Sequence, residues 1–224
     1  MRDRRVFATF LMLASVLLAG RPLAQSLQPV TAEQRTELAR WWEQQPLLSM
    51  PFDNNGSKVL IVEFTDLQCP HCRQKYIELK PTLDKYAGRG KEVTLLLKHW
   101  PIGTACNGSV TVNMHPAACD AAAAVVMARR NGTADSLIDW FFTHQEEMTP
   151  ATVRQAALEV GKVTDFDAQL SRAIQEVKTD AALGSALGVN STPSFFVNGR
   201  RLPGGGLAVQ YFDAILDLEL KSSK

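Results

Sequence analysis

Cysteine is scarce in this chain, neither sign of charge is in excess, and only one long apolar run occurs. Four cysteines among 224 residues are too few to staple a mini-protein, although the number is even. Lysine and arginine number 24 against 23 aspartate and glutamate, so no basic field points to nucleic acid as a partner. Fourteen glycines and 11 prolines are near average usage, which excludes collagen-like and low-complexity chains. The length suits one domain of good size or two small ones, either able to bury a core. No internal repeat or long linker is visible.

The single long apolar run lies at the start. Arg2, Arg4 and Arg5 outweigh Asp3, Val6 to Ala19 are 14 mostly apolar residues, and small or polar residues take over from Gly20. This is the pattern of a secretory signal over residues 1–24, short for a membrane span and expected to be cleaved after Ala24. The alternative is an uncleaved amphipathic anchor. No lipobox cysteine is present. Removing 1–24 takes away four cationic residues and one anionic one, leaving a net charge of about −2. All four cysteines remain, and they meet an oxidising compartment. A soluble, exported product, periplasmic or equivalent, is expected.

The remainder divides into an N-terminal helix and linker over 25–57 and a domain over 58–221. Thr31 and Gln34 have capping-box spacing, and Leu38, Trp41 and Trp42 form an apolar face, which predicts a helix over 31–45. KVLIVEF at 58–64 predicts a buried strand and EVTLLLK at 92–98 a second. A helix between them opens at Cys69–Pro70, runs to about Ala87 with Pro81 inside, and is closed by Gly88 and Gly90. Strand, helix and strand imply a parallel, right-handed unit. A strand-free, alanine-rich stretch follows, with Pro116 placed as a first-turn proline, Thr133 placed to cap a helix, and helices expected from about Ala117, Thr133, Thr149–Pro150 and Asp165. SFFV at 194–197 predicts a strand, Asn198–Gly199 a two-residue hairpin turn, and Pro203 an edge position. A final amphipathic helix is expected over 207–221. Strands at both ends with helices between suggest one sheet interrupted by a helical insertion at about 104–180.

Cys69-Pro70-His71-Cys72 is the sharpest signal. It follows a strand and opens a helix, where free backbone N–H groups and the helix dipole favour an anion at Cys69. Pro70 fits the first helical position without losing a useful donor. Cys72 lies one turn on, so the sulfurs share a face and can bridge. His71 adds a donor or a positive charge. These effects lower the Cys69 pKa and make it both a nucleophile and a good leaving group, with Cys72 as resolving thiol. Three other readings stand beside this one. A zinc site needs two further ligands, and there is no second CxxC. Haem attachment needs histidine where Arg73 stands. An inert structural disulfide is the third.

VEFTDLQCPHC at 62–72 and VNSTPSFFVNG at 189–199 resemble the DsbA-like branch of the thioredoxin superfamily, over roughly residues 57–221. The insertion motif, Cys106-Asn107 and His115 to Cys119, is similar to DsbA-like domains associated with vitamin K epoxide reductase homologues. The resemblance implies an α/β thioredoxin fold, a central mixed sheet flanked by helices, with an inserted α-helical subdomain. It implies that Thr192–Pro193 is a cis bond facing the CxxC and able to pair with an extended substrate. The alternative is a trans proline starting an edge strand. Thr192 departs from the valine of the best-studied oxidases and occurs in isomerase relatives. Glu63, six residues before Cys69, matches the buried acid that moves protons during exchange in relatives. The alternative is a Glu that snorkels from a strand end, and Lys98 is a candidate partner.

Cys106 and Cys119 are expected to form a structural disulfide beside the 69–72 pair, one of three connectivities, the alternative being a pair that shuttles electrons to Cys69. His99, His115 and His144 lack ligand spacing, and surface or capping roles are expected. Met114 and Leu202 are candidates for the rim of an apolar substrate patch. The resulting expectation is an exported dithiol oxidase that acts on unfolded or reduced secreted proteins. It is expected to be a monomer, needing no metal or organic cofactor, reoxidised by a membrane partner of DsbB or vitamin K epoxide reductase type. A disulfide isomerase or reductase, and a non-catalytic binding or chaperone module, are the alternatives.

Overall fold

A computed structural model describes residues 29–87 and 92–222; the expected signal segment and the glycines at 88 and 90 lie outside them. The elements run α1 (Ala32–Glu43), β1 (Val59–Thr65), α2 (Pro70–Ala87), β2 (Val93–His99), α3 (Ala118–Arg130), α4 (Ala134–Thr143), a short 3₁₀ turn (Gln145–Glu147), α5 (Pro150–Glu159), α6 (Phe166–Ala186), β3 (Ser194–Val197), β4 (Arg200–Arg201) and α7 (Val209–Ser222). The sheet order is β2-β1-β3-β4, with β1 parallel to β2 and antiparallel to β3. It is the mixed sheet that the strand–helix–strand opening and terminal hairpin predict.

β1 is buried along its whole length, as its continuous apolar run requires. Its side chains alternate between two cores. Val59 and Ile61 pack with Tyr86, Phe195, Phe212 and Ile215 on the side of α2 and α7. Leu60, Val62 and Phe64 pack with Trp100, Ala181, Val189 and Phe196 on the other side. α6 crosses this second side closely: a Cβ on Gly184 would lie 2.8 Å from the Phe64 ring. The Asn198–Gly199 turn has positive φ at both residues, 46° and 83°, which matches the right-handed twist of a tight hairpin.

The helices α3 to α6 share a third core, and α3 is buried almost all round, as a helix made mostly of alanine must be when other helices surround it. Leu67, Cys69 and Cys72 belong to this core, so the helical insertion packs directly on the CPHC segment. Thr31 and Gln34 form the expected capping box on α1, and Thr149 caps α5. Two local expectations change. α3 starts at Ala118 after an Ala117 cap, so Pro116 precedes the helix and is not its first residue. Thr133 sits before α4, but its hydroxyl donates to the carbonyls of Ala128 and Gly161 instead of capping the helix.

Candidate active site

α2 begins where β1 ends, so residues 66–69 form a tight turn that delivers Cys69 to the helix mouth. The Cys69 N–H donates to the Asp66 carbonyl at 3.0 Å, and the Cys69 carbonyl accepts from Arg73 N–H. Pro70 is the first helical residue, where its missing N–H costs nothing. The Cys69 thiol points at the Thr192 carbonyl, 3.6 Å away, and the Thr192–Pro193 bond is cis. Residues 123 apart in the chain thereby meet at one sulfur. Both Cys69 and Cys72 are free thiols, 4% and 0% exposed.

The two sulfurs differ electrostatically. Cys69 is lowered to about 5, chiefly by the hydrogen bond from the Cys72 thiol, with burial opposing. The Cys72 backbone, Thr192 and the His71 backbone N–H lower it further. Cys72 is pushed up, first by burial, then by its bond to Cys69 and by the charges of Cys69 and Glu63. Of the two contributions expected of His71, a donor or a positive charge, its backbone N–H supplies the donor, and the residue itself is exposed.

Glu63 is 5% exposed and pushed up to about 7 by burial, against the Thr65 hydroxyl, which favours its ionised form. Its burial excludes the snorkelling alternative. Lys98 is not its partner, because Lys98 stands beside Phe64 in the register and so projects from the opposite face of the sheet. Lys98 instead pairs with Asp180 on α6 at 2.9 Å. A cavity of about 550 Å³ reaches Glu63, lined also by Tyr76, Leu79, Leu97, Arg129 and Ile138.

Four polar residues gather around the cysteines, of which the sequence had marked only His115, and that for a surface or capping role. Asp66 is buried, its backbone N–H donating to Cys72 Sγ at 3.4 Å and its carboxylate accepting from Ile102 N–H and Gln68 N–H. His115 Nδ1 lies 2.7 Å from the same carboxylate. Gln68 Oε1 accepts from Ala117 N–H, and Gln145 Nε2 donates to the carbonyls of Leu67 and Cys69. The available signal was an acidic residue directly after a buried strand, three positions before the first cysteine.

Cys106 and Cys119 are joined in a disulfide, so they are not free to complete a zinc site. Gly103 packs against it: a Cβ there would lie 2.8 Å from Cys119 Sγ. His144 takes the expected capping position, Nδ1 2.9 Å from the Trp140 carbonyl with its ring stacked on Trp140. His99 departs from expectation, being fully buried at the end of β2 with burial holding its pKa well down. Met114 is 63% exposed, whereas Leu202 is 2% exposed and so belongs to the core, not to a rim.

A thioredoxin family model matches residues 53–217. Among solved structures, α-DsbA1 of Wolbachia pipientis superposes with a TM-score of 0.62 at 18% identity, over 79% of this chain and 95% of that one. BdbD of Bacillus subtilis gives 0.60 at 18% identity, over 80% and 94%. A thioredoxin-like oxidoreductase of Silicibacter pomeroyi gives 0.51 at 28% identity, over 78% and 91%. Curated relatives carry the name Na(+)/H(+) antiporter: NhaA 1 of Mycolicibacterium gilvum is 28% identical over 147 residues, 63% of this chain and 22% of that protein. NhaA 3 of Salinispora tropica is 30% identical over 146 residues, 64% and 20%. The chain thus spans about a fifth of the length of these relatives, and among its described residues no helix is long and apolar enough to cross a membrane. With the mixed sheet, the CPHC at a helix mouth and the match over most of its length, the chain belongs to the thioredoxin family and has the fold of its DsbA-like members.

Proposed function

We propose that the chain is an exported thiol–disulfide oxidoreductase that introduces disulfides into secreted proteins. The observation that carries the reading is the inequality of two adjacent sulfurs. Cys69 sits at a helix mouth facing Thr192, where an anion is stabilised, while Cys72 is buried above Glu63 and holds its proton.

The oxidised protein carries a Cys69–Cys72 disulfide. A client thiolate attacks Cys69 Sγ, forming a mixed disulfide and expelling Cys72, which takes up a proton. A second client thiolate then attacks the client sulfur of the mixed disulfide, and Cys69 leaves as thiolate. Two client thiols lose two electrons and two protons; Cys72 keeps one proton and the other goes to solvent. Because Cys69 is a stabilised anion it leaves readily, and the disulfide is a good oxidant. Glu63, held near 7 beneath Cys72, is suited to pass the Cys72 proton to and from the adjoining cavity. Thr192 and Pro193 present backbone to an extended client segment beside Cys69. The sulfurs carry the electrons, so the reaction calls for no metal or organic cofactor, and a membrane disulfide-generating partner of DsbB or vitamin K epoxide reductase type restores the disulfide. A monomer suffices for these steps.

Equilibration with glutathione redox buffers tests the direction. An oxidising potential, well above that of thioredoxin, is expected, with client oxidation abolished in Cys69→Ser. A thioredoxin-like potential, or a light-scattering mass twice that of one chain, points to a reductase or isomerase. Client oxidation that survives Cys69→Ser refutes the catalytic reading in favour of a binding module.

A further inference from the structure

The turn that presents Cys69 contains a buried anion. Asp66 bonds both redox cysteines through its main chain, accepting from Cys69 N–H at 3.0 Å and donating to Cys72 Sγ at 3.4 Å. Its carboxylate side chain is fully buried and meets two backbone N–H groups, from Gln68 at 2.8 Å and Ile102 at 2.7 Å. That carboxylate puts a buried negative charge into the turn that carries Cys69, and a buried charge calls for a compensating partner. The compensating group is His115, its ring 13% exposed and its Nδ1 2.7 Å from Asp66 Oδ2.

His115 reaches this position from the insertion. The Cys106–Cys119 disulfide closes its loop. The loop is bonded to the redox turn by Ala117 N–H to Gln68 Oε1 at 2.8 Å, and by His115 N–H at 3.0 Å to the carbonyl of Ile102, whose own N–H donates to Asp66. We propose that His115 is a positioning residue of the redox site, held by the disulfide-closed loop so that its proton neutralises Asp66 and is coupled to the charge on Cys69. The inference deepens the thiol–disulfide reading above and rests on it.

The titratable groups facing His115 are Asp66 from the turn and Cys69 from the mouth of α2, and both favour its protonated form; Asp66 acts most strongly, burial opposes, and Cys69 adds to it. Coupling is reciprocal. When client thiols reduce the disulfide, the anion formed at Cys69 raises the proton affinity of His115, which then takes up part of the proton otherwise released to solvent. Oxidation removes that anion and returns the proton.

Titrating the His115 ring by NMR in the oxidised and the reduced wild-type protein is the test. The reduced form is expected to titrate about half a unit higher, and His115→Gln to raise the Cys69 midpoint, read by thiolate ultraviolet absorbance, by about the same half unit. A residue that merely holds the loop would titrate identically in both redox states, and that result overturns the proposal even if the variant does not fold. A low wild-type Cys69 midpoint left in place by a folded His115→Gln overturns only this inference. An ordinary wild-type midpoint at about 8.5 overturns the thiol–disulfide reading beneath it.

Discussion

Replacing Cys69 with alanine should remove from the reduced protein a stabilisation that depends on pH. In the folded chain Cys69 ionises at about 5, whereas an unperturbed cysteine ionises at about 8.5. Folding lowers this pKa, so the contribution is absent below about pH 5, grows as the pH rises, and levels off above the unfolded value. At pH 7, about two units above the folded pKa, it amounts to about 2–3 kcal/mol at roughly 1.4 kcal/mol per unit. The assay is urea unfolding of wild type and Cys69→Ala, both kept reduced, from about pH 4.5 to pH 7.5. Lost packing at the alanine gives a constant offset, and Glu63 titrates in both proteins, so the change in the difference isolates the thiolate. A difference that stays constant to within about 0.5 kcal/mol across this range would refute the claim that the fold holds Cys69 as an anion. The same stabilisation favours the reduced state over the disulfide, which is why the stability curve and the redox direction stand or fall together.

Glu63→Gln should behave in the opposite sense. Burial raises the Glu63 pKa to about 7, so the wild type loses stability relative to the variant as pH rises from about 4.5 through 7, by about 3 kcal/mol in all; parallel unfolding curves at every pH would show that no buried carboxyl is being ionised. The same variant should slow exchange at the Cys69–Cys72 pair most at neutral pH, seen in stopped-flow reduction by dithiothreitol, where an unchanged pH profile would remove Glu63 from proton transfer. Replacing Cys106 and Cys119 together by serine opens a loop of 13 residues' separation and should cost about 2–3 kcal/mol in denaturant; unchanged stability would show that the loop is held without its bridge.

The local parts of this molecule were legible in the sequence because their signals are short-range. KVLIVEF reads as a strand buried on both faces, CPHC shortly after it as the opening of a helix, and Asn198–Gly199 has the two residues that tolerate the positive φ of a tight hairpin. The pairings that complete the site were not legible. Lys98 could not be matched with Asp180, nor excluded from Glu63, until the parallel register put it beside Phe64 on the far face. Asp66 and His115 lie 49 residues apart, and nothing in the spacing of His115 marked it as the partner of a buried carboxylate.

Sequence alone determined where the reactive sulfurs lie and that one of them sits at a helix mouth, since backbone dipoles and capping act within a single turn. Only the tertiary structure decided what surrounds them: Thr192 over Cys69, Glu63 beneath Cys72, and the Asp66–His115 pair at their side. Charges in a buried site act through distance and desolvation, and both are set by which distant segments pack together.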